Sequence, residues 1–189
     1  MPKIAIVYHS GYGHTARLAE AVHAGAAELA EVVMLPISPE GELPESAMDA
    51  LAAADGIIFG SPTYMGGPSW QFKKFADASS KVWFGQGWRN KVGAGFTNSA
   101  SMNGDKGSTI TYFVTLAMQQ SMIWVGTGLM PANVKASTRE DLNYMGGFSG
   151  ALATSPSDSS PDEFPNTGDR ATGTALGRRV AELAGRMAR

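Results

Sequence analysis

The sequence predicts an α/β fold in which a doubly wound, five-stranded parallel sheet carries helices on both faces. Short apolar runs alternate along the chain with segments of helical periodicity, as expected where a crossover helix joins each strand to the next. Residues 56–60 are apolar throughout, which is typical of a strand buried on both faces of a parallel sheet. Ligands of such folds bind at the carboxyl ends of the strands, so the loops that follow the strands are the first place to look for function.

The first strand is predicted over residues 4–8, where β-branched and aromatic side chains form an apolar run. A loop of glycine and hydroxyl residues follows. A helix is predicted next, because apolar residues then recur on one helical face, at Leu18, Val22, Ala26 and Leu29.

The remaining strands are short apolar runs, predicted over residues 32–35, 56–60, 92–96 and 122–126. Helices are predicted between them over residues 45–54, 69–80 and 109–120, and a last helix over residues 169–187. In helix 69–80 the aromatic side chains of Trp70, Phe72 and Phe75 recur at roughly helical spacing, so this helix is expected to pack on the sheet. In helix 169–187 Leu176 and Val180 share one face.

Residues 129–165 interrupt the alternation with glycine pairs, Ser-Pro steps and few periodic apolar positions. We expect residues 1–189 to form a single domain that contains this stretch as a long loop excursion. A loop of such length is usually functional, so it is predicted to form a pocket wall or to contact a neighbouring subunit. The alternative is a flexible surface loop.

Composition excludes several classes of function. The 15 basic and 17 acidic residues are interleaved and give a net charge of −2, which argues against nucleic-acid binding and against a polybasic membrane patch. There is no cysteine, hence no thiolate nucleophile, and the three histidines are too scattered for a metal site. Because no apolar run approaches 18 residues, we expect no membrane insertion and a cytoplasmic protein.

The loop over residues 10–15, called the phosphate loop below, has the composition of an anion-binding turn. Gly11 and Gly13 allow the backbone to approach a ligand closely at the amino end of the following helix, while Ser10 and Thr15 add hydroxyl groups. Thr15 could also cap that helix. The simplest alternative is an ordinary βα turn that uses these residues only for geometry.

A sharper alternative is a dinucleotide fingerprint, because Gly11, Gly13 and Ala16 fit the pattern G-x-G-x-x-A. A dinucleotide-binding unit also needs an acidic residue at the end of its second strand to hold the ribose. Here residues 32–35 lead into Pro36 and Ile37, and Glu31 precedes the strand. The loop therefore suits a terminal monophosphate, and a mononucleotide such as FMN is predicted.

Two further polar loops follow predicted strands at the same sheet edge. Residues 61–67 after the third strand contain a hydroxyl, an aromatic ring and two glycines, and residues 97–101 after the fourth strand are small and polar. Each alone could be an ordinary turn. Their coincidence with the phosphate loop predicts one binding site for a phosphorylated, flat heterocycle.

Residues 8–15 and 57–63 resemble motifs of a known family, the flavodoxin-like NAD(P)H:quinone oxidoreductases of the WrbA type. Its motifs Y-x-S-x-Y-G-H and I-I-F-G-T-P-T are close to Y-H-S-G-Y-G-H and I-I-F-G-S-P-T in this chain. The resemblance implies a flavodoxin-like fold that binds FMN. It also implies FMN contacts at Ser10, Gly11, Tyr12, Gly13, His14, Thr15, Pro62, Thr63, Tyr64, Asn98, Ser99, Ala100 and Ser101. Met65 and Gly66, which follow Tyr64 in the same loop, are predicted to bind the cofactor as well.

Three substrate contacts follow from the same resemblance. Tyr12 matches the family's nicotinamide-side residue, and Trp83 matches its aromatic residue beside the substrate. The family's histidine near the flavin falls where this chain reads Gln119-Gln120, so Gln120 is predicted to replace it and to hydrogen-bond a quinone oxygen. Alternatively Gln119 faces the pocket, or both glutamines only end the helix. The family's third loop, S-T-G-T-G-G, is also different here.

The resemblance implies an FMN-dependent enzyme that transfers two electrons from NAD(P)H to a quinone by a ping-pong mechanism. The chemistry would take place on the flavin, so no catalytic side chain is predicted. A homodimer or homotetramer is expected from the same family. The rival hypothesis is a flavodoxin-like single-electron carrier without nicotinamide turnover, and a third is a scaffold that has lost its cofactor.

Overall fold

The computed structural model describes residues 1–187 of the chain. The strands are β1 (Lys3–His9), β2 (Glu31–Ile37), β3 (Gly56–Tyr64), β4 (Gly67–Pro68), β5 (Val92–Ser99), β6 (Ile123–Trp124) and β7 (Ala151–Thr154). The helices are α1 (His14–Ala27), α2 (Ala47–Ala53), α3 (Trp70–Ala78), α4 (Ser80–Phe84), α5 (Lys106–Gln119) and α6 (Thr167–Met187).

The sheet has the strand order β2-β1-β3-β5-β6, and every neighbouring pair along this path is parallel. Alternate residues of β1 face opposite layers. Ile4 and Ile6 pack among side chains of α1 and α6, whereas Ala5 and Val7 pack among those of α2, α3 and α5. These two cores confirm the predicted doubly wound parallel sheet with helices on both faces.

The fifth position of the sheet is shared by two separate segments. Residues of β6 pair with Val92 and Gly93 at the start of β5, and β7 pairs with residues 96–99 at its end. The prediction of one continuous strand over residues 122–126 is therefore wrong in extent. The chain leaves the sheet after Val125, whose N–H still donates to the Gly93 carbonyl at 2.7 Å, and returns only at Ala151.

Strands β3 and β5 extend further than their apolar runs predict, to Tyr64 and Ser99. Their polar ends remain in the sheet because their hydroxyl groups bond to one another, as described below. Strand β2 also includes Pro36, which is tolerated because β2 lies at the edge of the sheet. Helix 69–80 is interrupted at Ser79, whose hydroxyl donates to the Ala76 carbonyl at 2.7 Å.

Helices α1 and α6 pack against each other in backbone contact. A Cβ at Gly25 would lie 1.9 Å from the Thr174 carbonyl oxygen, and one at Gly177 would lie 1.9 Å from that of Val22. Only glycine permits this approach, which fixes the position of α1 and of the phosphate loop that precedes it. Within residues 1–187, no helix is long and apolar enough to span a bilayer, and no group of three or more His, Cys, Asp or Glu side chains is arranged to hold a metal ion.

Candidate functional site

A cavity of about 1000 Å³ opens at the carboxyl ends of β1, β3 and β5. Its walls are the phosphate loop, the end of β3 with the turn into β4 (residues 61–67, the second loop), the end of β5 with the turn that follows it (residues 98–105, the third loop) and residues 155–159 after β7, called the seryl segment. The lining residues are Tyr12, His14, Thr15, Pro62, Thr63, Tyr64, Met65, Gly66, Asn98, Ser99, Ala100, Ser101, Gly104, Asp105, Ser155, Pro156, Ser157 and Ser159.

Three predicted contact residues of the phosphate loop, Ser10, Gly11 and Gly13, shape the loop and do not line the cavity. Gly13 precedes α1 with φ of 90° in the left-handed region, and a Cβ there would lie 2.6 Å from Pro161. A Cβ at Gly11 would lie 2.4 Å from the hydroxyl oxygen of Tyr64. The backbone conformation thus favours glycine at position 13, whereas a side chain at position 11 would have to displace the Tyr64 hydroxyl.

The first turn of α1 is held by Ser10, whose hydroxyl oxygen accepts from the Ala16 N–H at 3.1 Å. Thr15 lies inside this turn, buried at 2 % exposure, and it lines the cavity. The prediction that Thr15 caps the helix is therefore wrong, because the helix already begins at His14. The first two residues of the helix, His14 and Thr15, line the cavity, and the positive end of a helix suits an anion.

The second loop is joined to β5 and α5 by a chain of buried hydroxyl groups. Thr97 donates to the Ser61 carbonyl at 2.7 Å, and the Thr63 hydroxyl lies 2.8 Å from those of both Thr97 and Thr109. A hydroxyl has one proton, and a carbonyl can only accept. Thr97 has committed its proton to Ser61, so Thr63 must donate to Thr97 and Thr109 must donate to Thr63. The hydroxyl group of Thr63 can therefore only accept a hydrogen bond from a ligand.

The third loop turns sharply into α5 and is held by hydrogen bonds from Lys106 and Ser99. Gly104 and Asp105 both have positive φ, of 52° and 50°. The ammonium of Lys106 donates to the carbonyls of Ser101 and Met102, at 2.5 and 3.1 Å, and Ser99 Oγ also donates to the Ser101 carbonyl at 3.2 Å.

The seryl segment is a fourth wall. It lies within the excursion at residues 129–165, which was predicted to form a pocket wall or a subunit contact, but none of its residues was named as a site residue. Its Ser155 donates to Asn98 Oδ1 at 2.9 Å through its hydroxyl and to the Ser99 carbonyl at 3.1 Å through its N–H. The His14 Nε2 lies 3.1 Å from the Ser159 carbonyl, so this nitrogen carries a proton and Nδ1 remains the other ring position. A sequence signal did exist, because residues 151–157 repeat the pattern of a small apolar strand followed by Ser-Pro that occurs at residues 57–62.

The mouth of the cavity is aromatic and apolar. Tyr12 is 78 % exposed and meets Tyr64 edge to face, with 6.3 Å between ring centroids. Met65 is fully exposed at the tip of the turn between β3 and β4, and Met102 is half exposed. Among the lining residues, His14, Asp105 and the two tyrosines are the ionisable ones. Arg17, one turn along α1, is paired with Glu20 and Asp162 on the outer surface.

Trp83 and Gln120, the other two predicted substrate contacts, do not line this cavity of their own chain. Gln120 is buried at the end of α5 and donates to Ser79 Oγ at 2.9 Å. Trp83 lies on α4, which begins beside the same Ser79. Helix α5 runs away from the third loop, so its last residues reach the opposite edge of the sheet. Gln120 therefore ends the helix, as the alternative interpretation held, and does not face the cavity of its own chain.

Comparisons with known proteins give a consistent family. Residues 3–136 match the family of NADPH-dependent FMN reductases. The chain is similar to Flavodoxin FldP of Pseudomonas aeruginosa (strain UCBPP-PA14), with 50 % identity over 183 residues and 97 % of each chain covered. It is also similar to an NAD(P)H dehydrogenase (quinone) of Syntrophus aciditrophicus (strain SB), with 32 % identity over 205 residues and 98 % of each chain covered.

A solved structure agrees with these relatives. The flavodoxin, WrbA-like protein from Agrobacterium tumefaciens is 46 % identical and superposes with a TM-score of 0.79, over 98 % of this chain and 99 % of that one. More distant solved flavodoxins, such as one from the domain Archaea at 19 % identity and a TM-score of 0.65, share the fold.

Proposed function

The chain belongs to the NADPH-dependent FMN reductase family, as a flavodoxin-like protein of the WrbA type, and we propose that it transfers two electrons from NAD(P)H to a quinone through bound FMN. The observation that carries this proposal is the cavity at the strand ends. It combines an anion-binding helix end, a polar cradle and an exposed aromatic mouth.

The lining residues fit FMN. The amino end of α1 with Thr15 would hold the phosphate by neutral donors, since the phosphate loop contains no lysine or arginine. Thr63 offers only a lone pair, which matches the ring N–H of an isoalloxazine. The volume of about 1000 Å³ is at the upper end for small-molecule sites and has room for a flavin and part of a second ligand. When bound, FMN would supply hydride acceptance and two-electron transfer.

The second substrate is proposed to stack at the mouth. Tyr12, Tyr64 and Met65 present flat or flexible apolar surface there, which suits a nicotinamide or quinone ring. Since one opening serves both ligands, they would occupy it in turn, as a ping-pong mechanism requires. The protein's part is to bind, orient and exclude water, and no side chain is assigned a covalent role.

A second candidate function is a single-electron carrier that binds FMN without nicotinamide turnover. The similarity to Flavodoxin FldP, at 50 % identity, favours it. Against it, the chain has a net charge of only −2, whereas carriers that dock on partner proteins are typically strongly acidic. The apolar mouth also suits a small ring better than a charged protein surface.

An anaerobic titration separates the two functions. The purified protein should be yellow, and a colourless protein that cannot be reconstituted with FMN would indicate a scaffold without cofactor. NADH or NADPH should then bleach the flavin absorbance, and 1,4-benzoquinone should restore it. Flavin that dithionite reduces but neither nicotinamide reduces would establish the carrier instead. Parallel double-reciprocal plots at several quinone concentrations would support the ping-pong order.

The oligomeric state is a further proposal that follows from the family. We propose a homodimer or homotetramer, in which the excursion contacts a neighbouring subunit. The side chains of Met130, Val134 and Phe148 on this excursion are more than half exposed, which supports such a contact. Light scattering coupled to gel filtration measures the mass directly, and a 19.8 kDa species at micromolar concentration would refute the proposal.

A further inference from the structure

Lys106 is a buried lysine that the proposed reaction does not use. It is the first residue of α5 and is 1 % exposed. Its ammonium donates to the carbonyls of Ser101 and Met102 in the third loop, at 2.5 and 3.1 Å. Burial lowers the pKa of Lys106 to about 8, and Asp169 partly opposes this while Arg139 adds to it. A lysine seldom occupies such a position unless its charge has a partner or a task.

The two hydrogen bonds determine which way the third loop presents its backbone. In a trans peptide the C=O and the following N–H point in opposite directions. The carbonyls of Ser101 and Met102 point toward the buried ammonium of Lys106. The N–H groups of Met102 and Asn103 therefore point away from the protein interior. Ser99 Oγ, on the same Ser101 carbonyl, supports this orientation. The loop thus turns these donors away from the interior, on residues that lie between Ser101 and Gly104, both of which line the cavity.

The position of the third loop indicates which end of a ligand it meets. It follows β5, and the phosphate loop follows β1, with β3 between them. Two strand spacings amount to roughly 10 Å. A flavin whose phosphate lies at α1 therefore brings its ring system, and not its phosphate, toward the loop that Lys106 holds.

We propose that Lys106 is a positioning residue for the flavin ring, which fixes the donors of the third loop and holds a positive charge beneath the ring end of the cavity. This inference rests on the proposed binding of FMN. The charge predicts a preference for the reduced flavin, because reduction adds electron density near a cation in a poorly solvated site. Two quantities should change together when Lys106 is replaced, the affinity for the ring and the midpoint potential.

The experiment titrates apoprotein with FMN and with riboflavin, which has the same ring and lacks the phosphate, and follows the loss of flavin fluorescence. In Lys106→Met both affinities should fall by the same factor, about tenfold, since a charge-assisted interaction is lost at the ring. The midpoint potential of bound FMN should become more negative. A tenfold weaker preference for the reduced form corresponds to about 30 mV for a two-electron couple.

Lys91→Met is the matched control. The ammonium of Lys91 likewise donates to two carbonyls, those of Ala52 and Ala54, but it lies at the opposite edge of the sheet, just before β5 begins. This variant should leave both flavin affinities and the potential at their wild-type values. Lys106→Gln keeps a donor of similar reach without the charge, and it serves if Lys106→Met does not fold. It should regain part of the affinity and still show the lowered potential.

The proposal is overturned if riboflavin affinity is unchanged in the Lys106 variants, if only FMN affinity falls, or if the potential does not move. An equal effect in Lys91→Met would likewise overturn it, because the change would then reflect general loosening. These outcomes differ from failure of the proposed function, in which the wild-type protein itself binds neither flavin.

Discussion

The hydroxyl groups of Thr63 and Thr97 lie 2.8 Å apart, with the proton of Thr63 directed to Thr97 and that of Thr97 directed to the Ser61 carbonyl at 2.7 Å. This pair joins the ends of β3 and β5, where both strands carry polar residues into a buried sheet. Together the two bonds tie the second loop directly to β5. The relationship therefore matters for stability as well as for the shape of the site.

Thr97→Val should destabilise the protein by about 1–3 kcal/mol, because it leaves the Ser61 carbonyl and the Thr63 proton without their partner in a fully buried place. Urea unfolding of the apoprotein measures the change. Thr97→Ser keeps the hydroxyl and should lose clearly less. Equal unfolding free energies for Thr97→Val and the wild type would show that the hydroxyl chain is not a stabilising element.

Thr15→Ala should weaken FMN binding about tenfold or more, since it removes a neutral donor at the phosphate end of the cavity. Riboflavin affinity should stay the same, because riboflavin has no phosphate to lose contact with. Fluorescence titration of apoprotein with both flavins measures the two affinities. Thr115→Ala, in which a helical threonine of α5 loses its bond to the Thr111 carbonyl, is the control and should change neither. Unchanged FMN affinity in Thr15→Ala would remove Thr15 from the site.

FAD should bind at least about tenfold more weakly than FMN, a difference of roughly 1.4 kcal/mol. The phosphate end is closed by the chain itself, because Pro161 lies against Gly13 and the Ser159 carbonyl accepts from His14. No acidic residue stands at the end of β2 for a second ribose. Competition of FAD against bound FMN gives the ratio of dissociation constants. Equal affinities would revive the dinucleotide interpretation.

Lys106 should make the free energy of unfolding of the apoprotein increase as the pH rises from about 8 toward the ordinary lysine pKa. The folded-state pKa of about 8 lies below the ordinary lysine pKa of 10.5, so in this window the unfolded chain binds more protons than the folded one, and the free energy of unfolding increases with pH. The slope from one such group can approach about 1.4 kcal/mol per pH unit. Urea unfolding of wild type and Lys106→Met at pH 7.5, 8.5 and 9.5 isolates it.

As the pH rises from 7.5 to 9.5, the free energy of unfolding of the wild type should increase relative to that of Lys106→Met. Lys91→Met retains Lys106 and should follow the wild type in this window, apart from the smaller contribution of Lys91, whose pKa is also lowered by burial. Parallel pH dependence in wild type and Lys106→Met would mean that the lysine titrates as an exposed group does.

Much of the site could be predicted because its residues follow strands directly. Tyr12, Thr63 and Ser99 lie within or just after apolar runs, and in a parallel sheet the carboxyl ends of neighbouring strands meet at one edge. Trp83 and Gln120 were placed by resemblance alone, without such a geometric constraint. The direction of α5 then put Gln120 at the far edge of the sheet, beside Ser79.

The seryl segment could not be placed from the sequence because its position depends on a return over 26 residues, from Trp124 to Ala151, to the same neighbouring strand. No local sequence pattern predicts which strand of the sheet a four-residue strand such as β7 will pair with. Likewise the environment of Lys106 depends on residues far from it in the sequence, because Asp169 of α6, which accepts from Arg139 and from the Thr154 N–H, acts on its charge. From the sequence alone, a single lysine at the start of a helix is expected to be exposed to solvent.

Local patterns in the sequence account for the alternation of strands and helices, the buried parallel sheet and the glycine-rich turn at the start of α1, because hydrophobic period and backbone freedom are local properties. Long-range packing accounts for the split fifth strand, the residues of the fourth wall, the direction of the protons between Thr109, Thr63 and Thr97, and the cation under the third loop. Those features arise where segments distant in the sequence pack against each other and bury polar groups. The hydrogen-bond and desolvation energies of buried hydroxyl and ammonium groups depend on all of these segments.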